Sequence, residues 1–568
     1  MCESPCGKRG HSMKIFVNHL GFKPDVQGKF AVVQGGTSDT EFAIVDLNEM
    51  GYNEIGPNSR ENVIIYKGTL RRVDTVWGTY HLADFSDFKK PGIYLITIDN
   101  KYNSVPFQIR EDLYLRTLRK AYDYIHLQRC GEEVPGYHSP CHLDDAILRE
   151  NGEYVDAIGG WHDAGDLRKW MEHTMLLGMA ICQIKRNLNP VWREYDQTEG
   201  DLLNELRWGN AYFLKMQDGS GTIWHDVAGG VDGDNSDNHW TDNICGTADD
   251  RHINTEFNPV VQWEFIYLQA MITDLFQTVD PEYACLTLSA AEKTYGYMKD
   301  RENSSASAVA WAVLACGEML KTTGSKEYEH RLKQELKILL GLQEQEYRFN
   351  QEHVRGFWYK DTSKTDFFRG QRDTGVPLIA LCQTLPLLDE EQLRTECLQA
   401  IKLYCHDYIR PMVKTNPFQL IPFGLFTREV TKEKYHPLAG DLKYRCFPPT
   451  IVAFNQGTTS HLLSNAVGLE LAAKILSDDE LSRFARYQVE WTMGCNTENA
   501  CLMTGEGVNN PYPHSRFLGL IPGGIMNGFI GTEDDEPFVD MQYTMDWRTT
   551  EYWSPHTCFY IWYVTLVK

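Results

Sequence analysis

The chain reads as a mainly α protein: an (α/α)6 barrel of paired helices preceded by a small immunoglobulin-like β-sandwich. Three observations lead there. Residues 13–111 alternate short Val-, Ile-, Tyr- and Phe-rich runs with Gly, Asp, Asn and Pro punctuation, the signature of a sandwich of about 100 residues. After Pro106 the apolar period changes from two to that of a helix. About a dozen helical stretches then follow with hardly any strand signal and no fixed sequence repeat, which disfavours a solenoid.

In the first region the strand-like runs are KIFVNHL, KFAVVQ, EFAIVDL, NVIIYKG, GTYHLADF, GIYLITI and SVPFQIR. They carry no catalytic constellation, so residues 13–111 are expected to be a packing domain. Residues 1–12, MCESPCGKRGHS, contain no apolar segment and read as a tail or leader remnant.

From 112 to 568 the spacing predicts helices at about 112–129, 168–187, 201–217, 258–277, 282–299, 306–322, 325–343, 374–387, 389–409, 457–476, 478–494 and 549–566. Ser477 and Glu480 have capping-box spacing at the start of one of them. The long polar loops between these helices, at about 130–166, 218–257, 344–373, 410–456 and 495–547, are where an active site belongs.

The chain has 55 Lys+Arg against 78 Asp+Glu, a net charge of −23. That sign argues against nucleic acid and anionic membrane surfaces as partners. A membrane span is excluded for want of 18 consecutive apolar residues. The 15 cysteines are odd in number and mostly lie in apolar helical contexts, which predicts free thiols rather than a disulfide scaffold. With no export signal in view, a cytoplasmic location is expected, or a periplasmic or secreted one if a leader was removed.

Three clusters carry chemistry. In GGWHDAGDLRKW (159–170), Asp163 and Asp166 are three apart at a loop-to-helix junction. Carboxylates that close raise each other's pKa, so one serves as a base while the other orients water; an Asp in that place also caps the helix. In MDWRTTEYWSPH, Glu551 sits among aromatics before the last helix, where desolvation keeps a carboxyl protonated as a general acid requires. In NNPYPHSRF, His514 and Arg516 stand in a Pro-rich loop and suit hydrogen bonding to sugar hydroxyls. Aromatic side chains on the loops, Trp161, Trp224, Trp240, Trp358, Tyr359, Tyr512 and Trp553, are candidate faces for stacking on a ligand. Separately, Cys130, Cys141, His142 and His162 form C-x10-C-H-x19-H, two thiolates and two imidazoles suited to tetrahedral structural zinc.

GGWHDAGD, then PHSR, then a late Glu before a terminal helix together resemble glycoside hydrolase family 9, over about residues 13–568 and in the family's order. The resemblance implies an (α/α)6 barrel, often behind an immunoglobulin-like domain, and an inverting cellulase-type reaction. By resemblance Asp166 is the catalytic base, Asp163 holds the nucleophilic water and Glu551 is the proton donor. His514 and Arg516 would contact sugar at the cleavage point. Some members hold zinc with the equivalents of Cys130, Cys141, His142 and His162, and calcium is common, with Asp232, Asp234 and Asp237 as candidate ligands here. No organic cofactor is expected. Ser515 departs from the usual PHHR, and the Glu551 neighbourhood departs from the usual terminal stretch.

The expected activity is hydrolysis of β-1,4-linked gluco-configured oligo- or polysaccharides, endoglucanase-like or exo-acting on soluble oligomers. An exo-β-D-glucosaminidase on chitosan oligosaccharides is the alternative, with Asp540 and Asp546 as partners for a 2-ammonium group. A carbohydrate-binding protein on the same barrel is the non-enzyme alternative.

Overall fold

The structure, a computed structural model, describes residues 13–35, 41–48, 63–187, 199–229, 240–346, 348–349, 352–450, 456–515 and 520–567. Residues 1–12, Arg516 and the Asp232–Asp237 run lie outside them. The N-terminal domain holds strands β1 (Lys14–Phe16), β2 (Phe30–Gln34), β3 (Glu41–Asp46), β4 (Ile64–Thr75), β5 (Gly78–Asp84), β6 (Gly92–Ile98), β7 (Tyr102–Asn103) and β8 (Phe107–Ile109). Their order is β1-β2-β5-β4-β3-β6-β7, with β8 also on β6. β4 pairs with β3 along its first half and with β5 along its second, so one long strand carries the ladder from one layer to the other.

The period of two sorts side chains into two cores. Ile15, Val17, Ala31, Val33 and Ala83 point inside the sandwich. Phe16, Phe30, Val32, Tyr80 and Leu82 point outward but are buried against the helical domain. There Phe418 touches Phe16, Trp77, Tyr80 and Trp491 with ring centroids 4.9–6.2 Å apart. Arg486 Nη2 donates to the Gln27 and Gly28 carbonyls at 2.6 and 2.9 Å.

Twelve long helices follow among the described residues: α1 (Leu115–Leu127), α2 (Met171–Asn187), α3 (Glu199–Lys215), α4 (Pro259–Phe276), α5 (Pro281–Met298), α6 (Ala306–Thr323), α7 (Lys326–Gly341), α8 (Val376–Thr384), α9 (Glu391–Lys402), α10 (Thr459–Leu476), α11 (Asp479–Thr492) and α12 (Ser554–Leu566). The even-numbered helices pack in sequence, α2 to α4 to α6 to α8 to α10 to α12, and α12 returns to α2. This closed inner ring explains their composition. α4, α6, α10 and α12 are buried on nearly every face, whereas outer α7 buries only one stripe.

One predicted cap is corrected. Ser477 has φ 53° and ends α10. Asp478 is the N-cap of α11, its carboxylate accepting from Glu480 N at 3.0 Å, so the cap falls one residue later than the spacing predicted. Among the described residues no helix is long and apolar enough to cross a membrane.

Candidate active site

The turn Asp163–Arg168 enters α2 through Leu167, a non-glycine residue at φ 69°. Such strain persists only where the surroundings over-determine it. Arg251 Nη1 donates to the Leu167 carbonyl at 2.5 Å. Arg251 and Lys169 both pair with Asp145, and all three side chains are fully buried. The opposite side of the turn is sewn to the C-terminal segment. Ser554 N and Oγ donate to the Asp163 carbonyl at 2.8 and 2.7 Å. Gly165 N donates to Tyr552 O at 3.2 Å, and Ala164 bridges Trp553. Gly165 admits no side chain: a Cβ there would lie 2.3 Å from the His514 carbonyl.

These stitches bring Glu551 to the turn. Its carbonyl accepts from Asn527 N at 2.9 Å, and its backbone bridges His514. A cavity of about 500 Å³ results, lined by Asp163, Asp166, Glu551, Trp170, Trp547 and Trp553, with Arg168, Glu172, His173, Arg372, Asp373, Gln456 and Asn527 among its other walls. Apart from Asn527, those residues come from the first turns of inner helices or the segments just before them. The cavity thus sits at the N-terminal mouth of the inner ring, where helix dipoles favour anions.

Electrostatics separate the two aspartates. Asp163 is held in place: Oδ1 accepts from Trp170 N at 3.0 Å and Oδ2 faces His173 Nδ1 at 3.2 Å. Asp166 pairs with Arg168 at 3.2 Å, with 24% of its side chain reaching solvent. Burial, then the neighbouring Asp163 charge, push the Asp166 pKa up to about 6, the range of a competent base near neutrality. Burial opposes charge on His173, but Asp163 and Glu172 outweigh it and raise its pKa to about 9. The ring is therefore an imidazolium near neutrality. It stacks on Trp170 at 21°.

Behind the turn, Cys130, Cys141, His142 and His162 are all buried, with one ligand atom from each inside a 4.8 Å cluster. Cys130 Sγ is 3.6 Å from His142 Nδ1, Cys141 Sγ is 3.9 Å from His162 Nε2, and the two nitrogens are 3.4 Å apart. A tetrahedral zinc at ordinary bond lengths sets edges of about 3.4 Å between nitrogens and about 3.6 Å between sulfur and nitrogen. Burial lowers the His162 pKa to about 4, so the ring is neutral as a ligand must be. The donor set fits zinc in a closed four-ligand structural site.

The family model described as glycosyl hydrolase family 9 matches residues 114–551. The chain belongs to glycosyl hydrolase family 9. Endoglucanase D of Acetivibrio thermocellus is 28% identical over 355 residues, 56% of this chain and 52% of that protein. Cellodextrinase of Butyrivibrio fibrisolvens is 30% identical over 236 residues, 38% and 40% respectively. The chain thus spans about half the length, or less, of the curated relatives it matches. A metagenome-derived family 9 endoglucanase structure has TM-score 0.70 at 18% identity, covering 98% of this chain and 99% of that one. A zinc-binding triple mutant of the family 9 endoglucanase J30 has TM-score 0.67 at 21% identity, covering 96% and 99%. At such identities the likeness shows the fold.

Within this family 9 fold, the sequence-derived site residues separate. Asp163, Asp166, Glu551 and Trp553 meet in one cavity. His514 joins Glu551 through the backbone, and its Nδ1 donates to the Met545 carbonyl at 2.8 Å. Tyr512 lies beside exposed Tyr543, ring centroids 5.8 Å apart, and is not among the cavity walls. Trp161 is corrected: it is fully buried and its indole N–H donates to Glu205 at 2.8 Å, so no face is left for a sugar. Trp358 is buried against Tyr404, Tyr359 packs on Phe367, Trp224 packs on the core and Trp240 stacks on His142. Asp540 and Asp546 are also corrected. Asp540 accepts from Gln542 N and Thr544 Oγ1, and Asp546 caps the turn Trp547–Thr550 while pairing with Arg548; neither is among the cavity walls.

The sequence reading missed Glu172, His173, Arg372 and Asp373. Their signal was present: Glu172 and His173 on the first turn of α2, just ahead of the apolar run MLLGMAIC, and RGQRDTG leading into apolar α8.

Proposed function

We propose that this chain is an inverting glycoside hydrolase acting on β-1,4-linked gluco-configured chains. The observation that carries the reading is the single cavity shared by Asp163, Asp166 and Glu551, walled by three tryptophans. Asp163 orients a water, Asp166 takes its proton as it attacks the anomeric carbon, and Glu551 protonates the departing oxygen. This single displacement inverts the anomeric centre and requires room for water between base and sugar. The tryptophans offer faces for pyranose stacking. The printed activities of the relatives, an endoglucanase and a cellodextrinase, favour a glucan, and the second favours soluble oligomers. The amino-sugar reading loses its support, since Asp540 and Asp546 are committed to their own loop.

The test is product analysis on cellotetraose and on glucosamine tetramer, with the first-formed anomer read by NMR. We expect cleavage of cellotetraose with the α-anomer appearing first. Release of monomer from the amino sugar alone, or first appearance of the β-anomer, overturns the reading.

We also infer zinc at Cys130, Cys141, His142 and His162, where it would lend rigidity to the catalytic turn. The other eleven described cysteines form no disulfide, which supports a reducing compartment.

A further inference from the structure

Outside the catalytic cavity, three carboxylates converge. One oxygen from each of Asp144, Asp242 and Asp249 lies within 4.8 Å of the other two. Acidic groups on loops are commonly just solvated, and the grouping alone decides nothing. Asp144 is a different matter. It is fully buried. Its Oδ1 accepts from Thr241 Oγ1 at 2.6 Å, but Oδ2 is shut off from solvent and meets no hydrogen-bond donor among the described residues. A buried carboxylate oxygen facing neither water nor a donor is costly and uncommon. Two more carboxylates beside it add repulsion. A bound cation removes both penalties together.

The donors identify the kind of cation. The three converging groups are all carboxylates, and the hydroxyls of Thr241 and Thr247 lie against them: Thr247 Oγ1 is 2.6 Å from Asp249 Oδ1 and 3.3 Å from Asp242 Oδ1. An all-oxygen set from an irregular loop suits a hard ion with flexible coordination. We propose that Asp144, Asp242 and Asp249 form a binding site for a divalent cation of calcium type. It shares no ligand residue with the Cys–His cluster.

The location gives the ion a mechanical task. Asp144 follows His142 by two residues, and the loop carrying the other two ligands already leans on that segment. Asn243 Oδ1 accepts from Leu143 N at 3.0 Å, and Trp240 stacks on His142. Asp145, next to Asp144, pairs with Arg251, which in turn holds the Leu167 carbonyl of the catalytic turn. The cation would tie together the two segments from which this buried ion pair springs.

Terbium luminescence on the full chain tests the proposal, with indole excitation and Trp240 as the nearby donor. The protein is first treated with EGTA while its zinc content is followed, so that the two metal sites are distinguished. We expect saturable Tb³⁺ emission that Ca²⁺ displaces. In the Asp242→Asn/Asp249→Asn double variant, affinity should fall at least ~tenfold, as expected when two charged ligands are neutralised. Both residues lie on a surface loop, and circular dichroism verifies folding of the variant. Ca²⁺ should also raise the melting temperature of the wild type and not of the variant. Equal Tb³⁺ affinity in both proteins, or no saturable binding to the wild type, overturns the proposal.

Discussion

The Cys–His cluster and the carboxylate cavity share a stretch of chain, yet they are assembled by opposite routes. All four cluster ligands fall between Cys130 and His162. The cavity needs Asp163 and Ser554, 391 residues apart, to meet. Closing the short loop costs little conformational entropy, and ligand chemistry does the rest. The cavity exists only when α12 returns to α2 and the inner ring is complete. Adjacent residues, His162 and Asp163, therefore belong to a locally determined knot and to a globally determined site.

Variants that damage one and spare the other sharpen that contrast. The largest effect is expected in the cavity. Asp166→Ala or Glu551→Gln should lower kcat on cellotetraose by roughly 10³-fold, the scale of a lost general base or acid, while leaving the melting temperature unchanged. The converse is Cys141→Ser. It should abolish stoichiometric zinc, read by mass spectrometry of the native protein, and cost more than about 4 kcal/mol of stability, as loss of a structural metal does.

The pH profile probes the aspartates without disturbing the knot. Only ionised Asp166 can accept a proton, and its pKa is pushed up to about 6. The value of kcat/KM should therefore fall as pH drops through about 6. Asp163→Asn removes the neighbouring charge and should move that acid limb to lower pH. Asp166→Asn should leave no such limb in the residual rate. The smallest effect concerns Trp553. Loss of its face in Trp553→Ala should reduce kcat/KM by about tenfold, equivalent to about 1.4 kcal/mol of transition-state binding.

Much of the fold could be read from periodicity because inner and outer helices differ in kind. Continuous apolar runs such as ASAVAWAVLACGEML mark an inner helix, and striped ones such as KEYEHRLKQELKILLG mark an outer helix. The sandwich was legible as strands, but its long β4 was not. Residues 69–75, TLRRVDT, are largely exposed, and only pairing with β5 makes them strand. Trp161 failed for a different reason. A tryptophan after two glycines reads as a loop platform, but Gly209 on α3 leaves room for its ring and Glu205 supplies its partner.

Sequence alone was sufficient for whatever depends on neighbours along the chain: helix and strand periods, the Cys–His spacing, and Asp163 and Asp166 on one turn. Tertiary structure decided what depends on neighbours in space. It placed Glu551 against that turn, supplied Glu172, His173, Arg372 and Asp373 as walls, turned one face of β1, β2 and β5 onto the barrel, and removed Trp161 from contention. The physical reason is that burial, and the pKa shift of Asp166 that follows from it, are properties of packing between distant segments, which no local pattern encodes.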